Sequence, residues 1–317
     1  MARAPRFAVI DALLVVMVLI WGANFSVIKR AFDEIPPQPF NALRLILASS
    51  LFLTAIGLAI RRARGGARPV SRVWFTTTRV TARDRRDIVL LGLIGHCCYQ
   101  IGFAGGVAAT SVANAALIIG TTPVVIAVLS VALGRERIGG LHWTGAALSV
   151  VGVYFVVGLG APSDGASLRG DLLMMLSVLC WSIYTIGATR LIPRHSPLFV
   201  TGMTMLAGTV PYVLIALPQL VRHDWAAVSA WSWWALVLSS VLALCVCYLI
   251  WYAAVQAIGP SRTAIFSNLV PVVAMAVAAL WLREPLSTAK VAGAGAIVGG
   301  VFLTRLGRRP APVPIEE

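Results

Sequence analysis

Two pairs of rings and a scatter of amides are the residues here whose types and spacing could do chemistry. Tyr99 and Phe103 stand four residues apart, as do Tyr248 and Tyr252, so each pair shares one helix face. Trp21, Phe25, Trp181 and Trp251 are further rings set inside apolar stretches. Such rings suit stacking on a flat apolar solute, each pair adding roughly 1 kcal/mol beyond area burial. They suit helix packing or an interfacial belt equally well. Among them lie Asn24, His96, Gln100, Asn114, Gln256 and Asn268, with Ser26, Thr121, Thr122, Ser182 and Ser267 close by. Amides and imidazole can meet the two charges of a zwitterion without burying a fixed charge; interhelical hydrogen bonding is the competing use. His96, four residues before Gln100 and near Tyr99, is the first candidate for a polar contact. The chemistry on offer is recognition.

The elements that position these groups follow from composition. Of 317 residues, 59% are apolar and 12% charged, and the mean hydropathy is +0.86, far from the balance of a soluble domain. A spanning helix needs about 20 apolar residues. Ten segments qualify, at 9–29, 38–60, 88–108, 113–133, 141–159, 171–190, 199–220, 232–254, 262–281 and 289–305. A membrane barrel would alternate strictly in shorter strands, whereas AALSVVGVYFVVGL is apolar on every face. The expected class is therefore an all-α membrane protein of ten transmembrane helices, with lipid as its surroundings.

A net charge of +14 could suggest nucleic acid, but the placement of the charges excludes it as a partner. Of the 26 basic residues, 19 lie at the termini and in the loops after helices 2, 4, 6 and 8. Six lie on the other side and one, Arg44, within helix 2. That bias predicts cytoplasmic termini, in a bacterial inner membrane. Nine of the arginines crowd residues 61–87, a loop suited to anionic headgroups. The first 25 residues resemble a cleaved leader, but the same pattern returns at residues 178–190. The five cysteines all fall within predicted spans and form neither a disulfide framework nor a zinc motif.

That return is one sign of an internal repeat. Trp21 and Arg30 match Trp181 and Arg190 at an offset of 160; later the offset is 148, where ten of the 31 residues from 123 to 153 are identical. The Arg-rich loop supplies the extra 12 residues between the first and fourth helices of the first half. The halves, residues 1–160 and 161–317, each hold five helices. Five is odd, so the second half enters the bilayer in the opposite sense. Inverted repeats recur in secondary transporters, with a solute site near the midplane between the halves. On this reading Trp21 with Asn24, and Trp181 with Tyr184, face a central cavity.

The WGxN start at Trp21–Asn24, Arg44, the segment VANAALIIGTTP ending at Pro123, Glu136 followed by Gly145 and Gly152, and the second-half copies resemble the EamA-type ten-helix carriers of the drug/metabolite transporter superfamily. The likeness spans residues 9–305 and looks nearest to the YddG-type exporters of aromatic amino acids. It implies a small-molecule substrate moved by alternating access. The second half departs from pattern at Ser182, Tyr184 and Arg262, which leaves the substrate open; a multidrug or other metabolite exporter is the alternative.

Pro123 and Pro271 interrupt corresponding helices and suit matched gates. Arg44 either snorkels to the outer surface or packs within the bundle, or else draws in a carboxylate. Glu136 and Glu284 are expected to cap helix junctions. Gly295 and Gly299 offer a small-xxx-small face to helix 5 or to a second copy, making a homodimer a possible partner state. No phosphate-binding GKS or GKT exists, which excludes direct ATP drive, and no cofactor is called for. No acid lies at the centre of a span, so the usual carboxylate for ion coupling is missing. The same scarcity argues against an intramembrane enzyme, which needs an acid, base or metal constellation.

Overall fold

The computed structural model describes residues 5–65, 78–133, 140–158, 167–192, 194–258, 266–267 and 269–306. Their regular structure is helical throughout: α1 (Pro5–Ala31), α2 (Pro37–Arg64), α3 (Ala82–Ala109), α4 in two pieces (Val112–Gly120 and Thr122–Ala132), α5 (Gly140–Gly158), α6 (Leu168–Ala188), α7 (Pro197–Arg222), α8 (Ala230–Ile258), α9 (Val270–Leu282) and α10 (Thr288–Leu306). In hydrocarbon no water meets a bare amide, so the chain satisfies its backbone inside each helix. Six of these helices, α1, α2, α3, α6, α7 and α8, are long and apolar enough to cross a membrane. Polar caps start several of them: Ser111, Ser167, Ser196 and Ser229 each accept a backbone N–H from the first turn. Thr81 and Asp84 form a reciprocal capping box that begins α3 at Ala82, six residues before the expected 88, and shortens the Arg-rich loop accordingly.

The packing carries the repeat. Helices α2 and α7, α4 and α9, and α5 and α10 pack as self-matched pairs. The contact of α3 with α6 is matched by α8 with α1, that of α4 with α6 by α9 with α1, and that of α3 with α7 by α8 with α2. Exchanging the halves turns each of these contacts into itself or into its named counterpart, as two five-helix repeats inverted relative to one another require.

Glycines permit the closest crossings. A Cβ on Gly22 would sit 2.6 Å from Val273, and one on Gly120 would sit 2.7 Å from the Pro271 ring, so α1 and α4 both lie tightly on α9. The α5–α10 contact is made by Gly152 and Gly300, not by the expected Gly295, whose Cβ position is open.

Two irregularities recur at matching places. A π-helical turn interrupts α3 at Leu93–Cys98 and another interrupts α8 at Ser239–Val246. Such turns shift the hydrogen-bond ladder by one residue and often mark functional positions.

Candidate functional site

A cavity of about 940 Å³, counting its mouth, opens between α1, α2, α3, α4, α6, α8 and α9. Its wall is a continuous run of rings. Trp251 lies 5.8 Å from Trp21, Trp21 meets Tyr248 edge-on at 6.2 Å, and Tyr248 meets Trp181 edge-on at 5.4 Å. Trp181 lies 5.3 Å from Tyr99, which stacks on Phe103 at 5.6 Å, and Phe103 meets Phe25 at 5.5 Å. Seven rings from four helices thus touch in series, and each of the seven borders the cavity. Trp21 is pinned in this wall by a 3.0 Å hydrogen bond from its Nε1 to the Ala243 carbonyl, within the π turn of α8.

Polar groups interrupt the wall at few points. Asn24, Arg44, Gln100, Thr122 and Ser267 are among the lining residues, and among the described residues no Asp or Glu borders the cavity. The Asn24 Oδ1 accepts from the Ser239 hydroxyl at 2.5 Å. Gln100 is 1% exposed, and its Oε1 has no partner among the described residues. Burial at 2% removes the snorkelling alternative for Arg44. Its guanidinium donates to Asn41 Oδ1 at 3.0 Å and lies 5.9 Å from the Phe40 ring centre.

Three expected site residues stand behind the wall. His96 is fully buried and packs 5.0 Å from Tyr184 and 6.0 Å from Tyr248. Tyr184 hydrogen-bonds Thr204 at 3.1 Å, and Thr204 also reaches His96 Nε2 at 3.3 Å. Tyr252 meets Tyr184 edge-on at 6.5 Å. A Cβ on Gly95 would lie 2.4 Å from the Tyr184 ring, so glycine makes room for this second layer. Asn24 and Tyr184 hold corresponding places in the two repeats, yet only Asn24 lines the cavity. The larger Tyr184 side chain fills its own side.

Pro123 and Pro271 both border the cavity, each in the first turn of a helical piece. Ahead of Pro123 the chain turns at Thr121, whose hydroxyl donates to the Ile118 carbonyl at 2.6 Å. Asn268, Glu136 and Arg262 lie outside the described residues, as does the side chain of Gln256.

Around the α3–α4 turn sits a polar cluster that the sequence reading missed. Lys29, near the end of α1, donates to the carbonyls of Val107, Ala108 and Thr110 at 2.8–2.9 Å. Glu284, capping a helix as expected, takes the backbone N–H groups of Val112 at 2.8 Å and Ala113 at 3.2 Å. The Thr110 hydroxyl donates to buried Asp171 at 2.6 Å, and Asn114 approaches the same carboxylate at 3.5 Å. Glu284 and Asp171 belong to the second repeat and their partners to the first, so the cluster ties the halves together.

The pattern of two repeats has close parallels. The model of the EamA-like transporter family matches residues 8–158 and again 168–306. A transporter of unassigned substrate from Archaeoglobus fulgidus is 26% identical over 290 residues, covering 92% of this chain and 96% of its own. The YyaM transporter of Bacillus subtilis, also without an assigned substrate, is 26% identical over 287 residues, covering 89% and 88%. A probable terminal-alkyne amino-acid exporter of Streptantibioticus cattleyicolor is 27% identical over 300 residues, covering 93% and 94%. One crystal structure shares the fold with a TM-score of 0.64 at 19% identity, over 96% of this chain and 99% of the other. With its two matched repeats spanning nearly the whole sequence, the chain belongs to the EamA-like transporter family.

Proposed function

We propose that this carrier exports aromatic and other large apolar amino acids across the bacterial inner membrane by alternating access, without ATP. The observation that carries the reading is the seven-ring wall around a cavity whose lining holds no carboxylate. Faces and edges of rings stabilise a flat side chain, while Arg44, Gln100 and Asn24 offer the few directed polar contacts that orient it. The similarity to a probable terminal-alkyne amino-acid exporter supports an amino-acid cargo. The two halves, residues 1–160 and 161–317, exchange conformations about the cavity, with Pro123 and Pro271 at matched bends. Both termini face the cytoplasm, consistent with the 19-to-6 split of basic residues. A lining without acids favours facilitated movement down a gradient over proton coupling.

Proteoliposomes loaded with labelled phenylalanine, tryptophan or threonine test the reading. Protein-dependent efflux of phenylalanine and tryptophan is expected, and equal leakage with and without protein for all three rejects it. Flux of a cationic dye in their place replaces amino-acid export with multidrug export.

A further inference from the structure

Arg44 is a buried cation with few partners among the described residues. A guanidinium carries five donors, yet the bond to Asn41 is one of few partners, and Nε has none among the described residues. No ion pair involves Arg44 among those residues, and the cavity it borders is lined by no acid. A buried charge without a counter-charge is strongly unfavourable. Such a group is stabilised when an anion enters the cavity.

Gln100 poses the converse problem. Its buried Oε1 is an acceptor with no donor among the described residues, and the residue borders the same cavity. The neighbouring amide is unavailable for that role, because the Asn24 oxygen is already engaged by Ser239. One buried donor atom and one buried acceptor atom without partners among the described residues thus belong to two side chains that border the same ring-walled cavity.

We propose that Arg44 and Gln100 form the head-group subsite for a free α-amino acid. The Arg44 guanidinium takes the carboxylate through charge-assisted N–H···O bonds, Gln100 Oε1 accepts from the α-ammonium, and the cargo side chain lies on the ring wall. The proposal rests on the amino-acid reading above and sharpens it. Cargo must carry a free carboxylate, so the matching amines, esters and amides are refused.

Equilibrium binding to the purified carrier by scintillation proximity tests this in two side-chain series: tryptophan with tryptamine and indole-3-propionate, and leucine with 3-methylbutylamine. Wild type is expected to bind each acid about 10- to 100-fold more tightly than its amine, the range set by one charge-assisted contact. Arg44→Gln should abolish that preference, and Arg44→Lys should restore part of it, since an ammonium keeps the charge and loses the fork. Gln100→Leu should narrow the gap between tryptophan and indole-3-propionate while leaving the acid-over-amine preference in place. Matching elution profiles of the variants establish that they fold. Equal binding of acid and amine by wild type overturns the subsite. So does an Arg44→Gln variant that folds and keeps the preference. A carboxylate preference seen for leucine with no binding of tryptophan supports the subsite and rejects the aromatic cargo. Binding of no ligand in either series rejects both.

Discussion

Trp21 on α1 donates its indole N–H to the carbonyl of Ala243 on α8, 3.0 Å away, and so ties one ring of the cavity wall to the π turn of the opposite repeat. The contact spans 222 residues of sequence. It fixes the ring that touches both Trp251 and Tyr248.

Substitutions at Trp21 should separate the bond from the ring. Trp21→Phe keeps an aromatic face and loses about 1 kcal/mol of hydrogen bonding, so efflux of tryptophan is expected to fall roughly fivefold. Trp21→Ala opens the wall, and Tyr99→Ala breaks the series at its junction between Trp181 and Phe103. Both should slow efflux by an order of magnitude or more while the purified protein stays folded. Normal flux in both variants would remove the ring wall from the mechanism.

Glycine positions divide into two groups that thermal unfolding in detergent can distinguish. A Cβ on Gly208 would lie 2.3 Å from the Gly92 carbonyl, and one on Gly95 would lie 2.4 Å from Tyr184. Alanine at either should force helices or rings apart, at about 1–3 kcal/mol. Gly57 and Gly295 meet nothing within 4 Å. Alanine there should be neutral or stabilising by up to about 1 kcal/mol through helix propensity. Equal melting of all four variants would contradict the packing described.

Hydropathy and the repeat made the architecture legible, because spanning length and loop charge are properties of sequence alone. The ring wall was half legible. Four-residue spacing put Tyr99 and Phe103 on one face, and both line the cavity; the same spacing put Tyr248 and Tyr252 together, yet Tyr252 lies behind the wall. Both tyrosines follow the π turn of α8 on one regular helical segment, so four-residue spacing alone did not tell which of the two would reach the cavity. His96 sits inside the π turn of α3, where it contacts Thr204 and Tyr184 behind the cavity wall. The roles of Lys29 and Asp171 depended on where the end of α3 would lie in three dimensions. The matched placement of Asp11 and Asp171, 160 residues apart, was the available hint that the latter was more than a first-turn acid.

At the α1–α2 connection, acidity should loosen one contact. Glu34 accepts from both the hydroxyl and the backbone N–H of Ser229 at 2.9 Å. The hydroxyl bond first, and the backbone bond next, hold its carboxyl below the ordinary 4.5. A depressed folded value means the contribution is present above the ordinary carboxylate range and vanishes as pH falls through the lowered one. Melting curves from pH 7 to pH 3 should show a small acid-side loss in wild type that is diminished in Glu34→Gln; identical curves would show that the contact adds nothing.

The Lys29 cluster yields the sharpest mechanical prediction. One ammonium satisfies three carbonyls at the end of α3, while Glu284 satisfies two N–H groups at the start of α4. The α3–α4 turn is thereby held by charges from α1 and from the residues after α9. Phe103 borders the cavity on the last turns of α3, so its accessibility reports whether that end is shut. Lys29→Met leaves three carbonyls unpaired and favours any conformation in which water reaches them. In a cysteine-free background carrying Phe103→Cys, an impermeant maleimide applied from the Lys29 face should react roughly tenfold faster in Lys29→Met, the shift that about 1.4 kcal/mol of lost hydrogen bonding produces. Glu284→Gln should raise the rate less, because the amide oxygen still accepts one N–H. An unchanged rate in Lys29→Met would mean that the ammonium caps a helix without holding the cavity closed.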